Sequence, residues 1–480
     1  MTIRVGETAT APSFQKAALP LLEDAQLRRN IRHATDVIQH KRGLVVAETT
    51  DWQDLRAAGH AIKAHTLRHL DHYLLQFEKA CTAAGGQVHW ASDADEANQI
   101  IAALVRQYDA NEVIKIKTMT TDETGLNEAL EHAGIHPVET DLGELILQLG
   151  REKPSHIVGP SLHINRSQVR AIFREQMHLP DLSDEPEKLT AAARRYLREK
   201  FLSVKIGVSG ANFLMADTGS VCIVESEGNG RMCLTMPDVL ISLAGIEKII
   251  PSFRDLEVFL QLLPRSATGE RMNPYNSVWT GIHPGDGPRH FHVVLLDNGR
   301  TGILADQEAR QTLQCIRCGA CLNTCPVYRQ TSGLAYGSGY SGPIGAIVTP
   351  QLVGLQHAQS LPYASSLCGA CYEVCPVKIN IPEVLIHLRG RVVREQKAAL
   401  DPEALAMKMA AAIFASHRRF EAAQRLGRLA QRPLVSKGWV RGLPGMLGNW
   451  TRVRDLRALP PQTFREWWRK RGRDHRGNND

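Results

Sequence analysis

The chain has 480 residues, 43% of them hydrophobic and 22% charged, with a formal net charge of +7. That length and apolar content imply about three domains with real cores and exclude a disordered or fibrous chain. No apolar stretch reaches the roughly 18 residues a spanning helix needs, and no apolar run of signal-peptide length follows Met1, so the expectation is a protein of the reducing cytoplasm.

Residues 1–70 read as polar and helical. His60, His65, His69 and His72 recur there at helical spacing, a stripe that suits a solvated face better than a metal site. From about residue 75 the pattern alternates strand and helix. Leu74–Ala84 reads as helix, Gln87–Trp90 as a short strand, and Ala94–Tyr108 as a helix with Ile100, Ile101, Leu104 and Val105 at helical spacing. Val113–Ile116 is a buried strand, Glu123–Ala133 a helix ending near Gly134, Pro137-Val138 the start of another strand, and Leu142–Leu149 a helix or a strand. Together these predict a parallel, Rossmann-like α/β core. Lys205–Ser226 is β-rich and marked by glycine, and Gly228-Asn229-Gly230-Arg231 reads as a tight hairpin turn. Neither G-x-G-x-x-G nor a P-loop occurs there, and no flavin or nicotinamide signature is visible.

Several side chains of this α/β part are of the kind that do chemistry. Lys115 and Lys117 close a strand on alternating faces, so only one of them points to a crevice. Glu139, Asp141 and Glu144 follow the next strand. His163, Asn165 and Arg166 offer a carboxylate an arginine fork, and the turn Asp217-Thr218-Gly219 lets Thr218 donate to an anion. The competing reading is that all of these cap helices and hold turns.

The strongest signal lies further on. One run reads Cys315-Ile-Arg-Cys318-Gly-Ala-Cys321-Leu-Asn-Thr-Cys325-Pro326, a complete C-x2-C-x2-C-x3-C-P. The second, Cys368-Gly-Ala-Cys371-Tyr-Glu-Val-Cys375-Pro376, lacks its first cysteine, and Ser365 stands in that place. This spacing holds cubane iron–sulfur clusters, with the cysteine before proline ligating the other cube. By that rule Cys315, Cys318, Cys321 and Cys375 hold cluster one, and Cys325, Cys368 and Cys371 hold cluster two. Two 4Fe-4S clusters are therefore expected, the second with three cysteine ligands. Its fourth iron takes a serine oxygen, an outside ligand or one of Cys81, Cys222 and Cys233, or else the cluster is 3Fe-4S. Zinc is the alternative for a lone C-x2-C pair, but not for this run given twice. Between the runs, Gly333–Pro350 is rich in Gly, Tyr and Ser and is expected to wrap the clusters and exclude water.

From Pro382 the chain turns helical and basic, through Ala404–Phe414 and His417–Ala430, and carries Trp439, Trp450, Trp467 and Trp468. Residues 389–480 hold 21 Lys and Arg against eight Asp and Glu, a local balance of +13 that leaves the remaining residues at −6. Such a tail suits an acidic protein subunit or peripheral contact with the anionic inner face of a membrane, or packing on the chain's own body. No motif supports nucleic acid as a partner.

The stretches Lys115-Ile-Lys117-Thr-Met119, Glu139-Thr-Asp141-Leu-Gly143-Glu144, His163-Ile-Asn165-Arg166 and Ala216-Asp217-Thr218-Gly219, with the two cysteine runs, resemble the lactate-utilisation iron–sulfur protein B family over nearly the whole chain. The three-cysteine second run is similar to that family's own pattern. The resemblance implies an α/β domain akin to the sugar-phosphate isomerase and CoA-transferase class, a two-cluster ferredoxin-type helical module and a family-specific C-terminal region. The expected divisions are 1–70 helical, 71–298 α/β, 300–388 two-cluster module and 389–480 basic. The implied function is an electron-transfer subunit of a complex oxidising L-lactate to pyruvate, not itself the catalyst. Its partners would be the other subunits of that system and an electron carrier or quinone. The competing functions are the iron–sulfur subunit of a related glycolate-type 2-hydroxy-acid dehydrogenase, or an α/β domain that is itself catalytic.

Overall fold

The structure is a computed structural model and describes residues 12–395, 402–443, 445, 448, 451 and 454–474. Residues 1–11 and Trp450 lie outside the described residues. The chain divides into two compact units, Met1–Glu395 and Gln396–Asp480.

The first unit opens with the helices Phe14–Glu23, Ala25–Ala47, Trp52–Arg68 and Leu70–Ala83. Asp24 starts the second of these, its carboxylate accepting the Leu27 N–H at 2.9 Å. Leu27, Ile31 and Trp52 are buried in the same apolar cluster as the cysteine runs. The α/β part follows with ten strands: β1 Gln87–Ala91, β2 Glu112–Lys115, β3 His136–Glu139, β4 Ile206–Ser209, β5 Phe213–Met215, β6 Ser220–Glu225, β7 Val239–Gly245, β8 Ile249–Ile250, β9 Tyr275–Trp279 and β10 His290–Leu296.

Six of them form one sheet in the order β1-β10-β7-β4-β2-β3, and every pairing in it is parallel. The central strands β7 (VLISLAG) and β10 (HFHVVLL) are apolar almost throughout because both faces are covered by helices or chain. Ile241 lies level with Val208 on one side and His292 on the other. Since all six strands run the same way, their carboxyl ends share one edge. Lys117, Gly210, Lys248 and Arg300 follow β2, β4, β7 and β10 there, on the edge where open parallel sheets bind ligands. The other four strands form a second sheet, β8-β5-β6-β9. Its β5–β6 turn runs through Asp217-Thr218-Gly219. Gly219 has φ +66°, and a Cβ there would fall 2.1 Å from the Cys81 nitrogen, so only glycine fits.

Two local expectations are corrected. Gly228-Asn229-Gly230-Arg231 does not turn a hairpin. It starts the helix Asn229–Thr235, because the Glu225 carboxylate accepts the N–H groups of Gly228, Gly230 and Arg231 at 2.8, 3.1 and 2.9 Å and so caps a helix start. The helix expected over Glu123–Ala133 is broken at Gly125 (φ 65°) into Met119–Thr124 and Leu126–His132. Leu142–Gly150 is helical.

After β10 the chain makes the helix Arg300–Ala305 and then enters the cysteine module, whose longer helices are Gly342–Leu352 and Ile381–Glu395. The last of these crosses residue 388. The second unit holds the helices Pro402–Phe414, His417–Ala430 and Phe464–Asp474 and a small sheet of Val435–Ser436, Trp439–Val440 and Leu456–Arg457. Glu421 and Glu466 bind Arg469 at 2.5 Å and Arg428 at 3.1 Å, which joins its last two helices. Among the described residues no helix is long and apolar enough to cross a membrane.

Candidate iron–sulfur centre

Both cysteine runs fold alike. A glycine in the left-handed region (Gly319, φ 74°; Gly369, φ 85°) turns the chain into a one-turn helix, Ala320–Thr324 or Ala370–Val374, that carries Cys321 or Cys371. Cys325 and Cys375 then return to extended backbone (ψ 119° in both) ahead of their prolines. The two short helices pack on each other. Backbone N–H groups of Arg317, Tyr328 and Ile379 point at the sulfurs of Cys315, Cys325 and Cys375 at 3.4, 3.5 and 3.4 Å, the kind of donor that stabilises thiolate and sulfide charge.

Electrostatic influence sorts the thiols into two sets. Burial pushes all of Cys318, Cys321 and Cys375 up, Cys375 to about 11, and each also feels Cys315. Cys318 and Cys321 feel Cys375 as well. Burial likewise pushes Cys371 up to about 12, with further contributions from Cys325 and Cys368, while Cys325 is raised by burial and feels Cys368. The sets meet where Cys321 feels Cys371. Among the described residues no three His, Cys, Asp or Glu side chains converge tightly enough for a single metal ion. Seven soft sulfurs with N–H donors aimed at three of them suit the ligation of iron–sulfur clusters.

The sets differ in cover. Cys318, Cys321, Cys325, Cys371 and Cys375 are buried, Cys315 is half-buried and Cys368 is exposed. Ser365 stays on its own loop, its Oγ accepting the Leu367 N–H at 3.1 Å. Its carbonyl accepts from Arg389 at 3.0 Å. Cys81, Cys222 and Cys233, among the alternatives for the second set's fourth ligand, are instead buried core cysteines. Cys81 faces Gly86 and Gly219, Cys222 pairs across β5–β6 with Phe213, and Cys233 lies 3.5 Å from the Thr140 hydroxyl. Burial pushes Cys81 and Cys222 up to about 12 and Cys233 up as well, which makes them inert core thiols.

The sequence did not point to most of the side chains that surround the centre. Arg42 donates to the Val374 carbonyl at 3.1 Å, and Arg56 to those of Cys375 and Tyr372 at 3.0 and 3.2 Å. His60, from the histidine stripe, bonds the Val377 carbonyl at 3.1 Å, whereas His65 bonds the Tyr73 hydroxyl. On the sheet side Arg317 packs over the Tyr340 ring at 4.5 Å and lies 3.3 Å from Glu247. Glu247 also pairs with Arg300, which forks onto Glu123 at 2.8 and 2.9 Å. Tyr340 closes the network on Glu123 at 2.6 Å. His156 hydrogen-bonds Asn323 at 3.0 Å and takes the Val158 and Gly159 N–H groups on its other nitrogen. The 333–350 segment is buried over the first run, with a Cβ on Gly342 falling 2.5 Å from Leu322. Arg317 and Asn323 lie inside the first run, His60 stood in the histidine stripe, and the 333–350 segment was expected over the clusters. The rest become neighbours through the fold.

The α/β candidates separate into two roles. Lys115 is 1% exposed and pairs with Glu139 at 2.8 Å, a closed buried pair. Asn165 caps the helix Arg166–Gln176 in a capping box with Gln168, His163 bonds Ser155 at 2.9 Å, and Arg166 is exposed, so these three do not form a carboxylate fork. Thr218 accepts from Ser220 at 2.8 Å, a turn contact. Lys117 and Asp141 do line a cavity at the sheet's carboxyl edge, with Lys117 3.1 Å from Glu144 and the Asp141 carboxylate on the Lys117 N–H at 2.7 Å.

Comparison with known proteins agrees with this geometry. Residues 74–296 match the LUD domain, 311–379 the 4Fe-4S dicluster domain, and 387–473 the C-terminal region of lactate utilisation protein B. Lactate utilization protein B of Oceanobacillus iheyensis is 40% identical over 483 residues, covering 100% of both chains. The protein of that name from an Exiguobacterium species is 42% identical over 476 residues, 98% of this chain and 99% of its own. The one from Bacillus anthracis is 41% identical over 461 residues, 96% of each. A crystal structure of a DUF162 family protein from Deinococcus radiodurans covers 47% of this chain and 98% of its own at 13% identity, with a TM-score of only 0.27.

Proposed function

We propose, from the premise that this chain belongs to the lactate utilization protein B family, that it is the iron–sulfur electron-transfer subunit of an L-lactate-oxidising system. Cys315, Cys318, Cys321 and Cys375 would hold one 4Fe-4S cluster, and Cys325, Cys368 and Cys371 a second. Once bound, the clusters supply acceptance and release of single electrons. The chain's own residues do the rest. Arg42 and Arg56 bring positive charge to the cysteine loop, the N–H groups of Arg317, Tyr328 and Ile379 support sulfur charge, and the 333–350 segment keeps water from the first set.

What supports this reading is the match of residues 311–379 to a 4Fe-4S dicluster domain, together with two cysteine runs whose short helices pack on each other and bring all seven sulfurs into one region. The exposed Cys368 end is the natural place for a carrier or quinone-linked partner. The basic C-terminal region is the natural contact for another lactate-utilisation subunit or the membrane face. We read the chain as a helical region to about residue 70, an isomerase-like α/β domain to 298, a cluster module over 300–388 and a basic region beyond.

The test is iron and acid-labile sulfide on anaerobically purified protein, with electron paramagnetic resonance before and after reduction. About eight irons with coupled signals on reduction supports two cubanes, and about seven with a signal when oxidised places a three-iron cluster at the second set. Zinc without sulfide refutes the reading. Lactate oxidation by the purified chain alone with a dye acceptor would make the α/β domain the catalyst instead.

A further inference from the structure

The cavity at the sheet's carboxyl edge measures about 470 Å³, within the range of small-molecule sites, roughly 300–1,000 Å³. Ile116, Ile157, Ile223 and Leu263 give it apolar walls, and Lys248 and Arg317 reach it from the sheet edge and from the first cysteine run.

Its acids are spoken for. Asp141 accepts from the Lys117 N–H and, at 2.9 Å, from Asn229. Glu225 caps the helix at Asn229, Glu227 accepts the Leu142 N–H at 3.1 Å, and Glu270 pairs with Lys41 at 3.0 Å. Lys117 is matched by Glu144. Two cations are left over. Lys248 is buried and its charge faces Glu247, which Arg300 and Arg317 already pair; among the described residues its ammonium makes no hydrogen bond. Arg317, 8% exposed, uses one nitrogen on Glu247, while its Nε and Nη1 are buried without a partner. Buried donors of this kind are costly unless something accepts from them. With each acid of the cavity engaged in a hydrogen bond or an ion pair, the wall where the two unmet Arg317 donors stand beside Lys248 suits an anion.

We propose that this cavity binds a small organic acid, a 2-hydroxy or 2-oxo carboxylate, with Lys248 and Arg317 holding the carboxylate beside the first cysteine run and the apolar walls covering its carbon chain. The choice of acid rests on the functional reading above; the cationic character of the cavity does not. Lys248 and Arg317 also feel Cys315 in the first run, so the competing account is that they only balance cluster charge, a task that Arg42 and Arg56 take up from the Cys375 loop of the second run.

The experiment is isothermal titration calorimetry on the anaerobically purified full chain, with iron measured on the same samples, using L-lactate, pyruvate and inorganic phosphate. Saturable binding of L-lactate or pyruvate, little of phosphate, and at least about a tenfold loss in Lys248→Met with retention in Lys248→Arg is the expected result, since a hydrogen bond to a charged group contributes about 1.5–3 kcal/mol. Thr268→Trp, which narrows the cavity from a half-buried lining position and leaves both cations in the sequence, should also abolish binding and covers the case in which Lys248→Met fails to fold. No saturable heat with either acid, binding unchanged in Lys248→Met and Thr268→Trp, or phosphate bound as well as the acids, overturns the proposal. Acid binding by a chain that carries no iron would sink the electron-transfer reading and leave the cavity assignment standing, whereas full iron with no acid binding does the reverse.

Discussion

Arg300 ties the cysteine module to the sheet, and Arg300→Met tests how much that tie contributes. The side chain is 1% exposed. It forks onto Glu123 at 2.8 and 2.9 Å, pairs with Glu247 and bonds the Asp297 carbonyl at 3.0 Å. Burial alone would raise Glu247, but Arg300, Arg317 and Lys248 outweigh it and hold its carboxyl at about 2. The same opposition, burial against Arg300 and then Tyr340 and Asn298, holds Glu123 below the usual carboxylate range. Methionine keeps most of the volume and removes the charge, leaving two buried carboxylates short of their main partner. Glu247 retains Arg317, and Glu123 retains Tyr340 and Asn298 at 2.6 Å each. Breaking one side of such a buried pair costs about 3–5 kcal/mol, and the neutral donors that remain place this case at the lower end, about 3 kcal/mol. That is a large share of a typical total of 5–15 kcal/mol. Urea denaturation followed by circular dichroism and by cluster absorbance should both move, with cluster loss occurring first because the network joins the sheet edge to the Arg317–Tyr340 face of the module. Arg300→Met/Glu123→Gln should recover part of the loss, since one of the stranded charges is then gone. A destabilisation below about 1 kcal/mol, or a double variant as unstable as the two singles added together, would refute this account.

Three further perturbations address the centre itself. His156 is held at about 4, chiefly by burial, with the bond to Asn323 opposing. Its folded value lies below its unfolded one, so the unfolded chain takes the proton first and stability present above pH 6.5 is lost as pH falls toward 4. The loss is about 3 kcal/mol, and His156→Gln should flatten the urea midpoint between pH 6.5 and 4.5; an unchanged slope would assign the acid sensitivity elsewhere. Arg56→Met removes a cation and two bonds to the Cys375 loop, so one cluster potential should fall in a redox titration read by paramagnetic resonance, and an unmoved potential would contradict the tuning role. Cys325→Ala should disturb the signal of the set containing Cys368 and Cys371 and spare most of the other. If instead the Cys315 set is lost, the cross-run grouping is wrong.

The centre was legible in the sequence wherever chemistry is written in local spacing. The runs from Cys315 to Cys325 and from Cys368 to Cys375 need no fold to be read, because thiolates two residues apart have few other uses. The strand at Val113–Ile116 was legible for a similar reason, since a parallel sheet covered on both faces demands short apolar runs, whereas Gln87–Trp90 is a half-exposed edge strand. The network Glu123–Arg300–Glu247–Arg317 was not. Its members lie 53, 70 and 177 residues apart in pairs, and each alone looks like a surface charge. The N-terminal helices misled in the same direction. Their polar composition suits a solvated face, yet Arg42, Arg56 and His60 spend their polar atoms on carbonyls of the second cysteine run. Gly228–Arg231 failed because the hairpin signal of its residues is local, while the carboxylate that turns it into a helix start is on β6.

The uneven cover of the two sets gives the proposed relay a direction. Cys318, Cys321 and Cys375 are enclosed by the N-terminal helices and the sheet edge, and the acid cavity meets this inner set through Arg317. The outer set ends at exposed Cys368, flanked by Tyr363, Leu367 and Tyr372, which are 42%, 36% and 42% exposed. Aromatic and aliphatic side chains left open beside a redox group are what a docking partner covers, because excluding water there strengthens the contact and shields the cluster at once. In the proposed relay, electrons would therefore enter at the inner set and leave to a carrier at the outer one. The missing fourth cysteine is consistent with that order: an incomplete protein ligand set is tolerable at the rim, where Ser365, solvent or a partner can supply the last contact, and would leave a bare iron in apolar surroundings if it stood at the inner set.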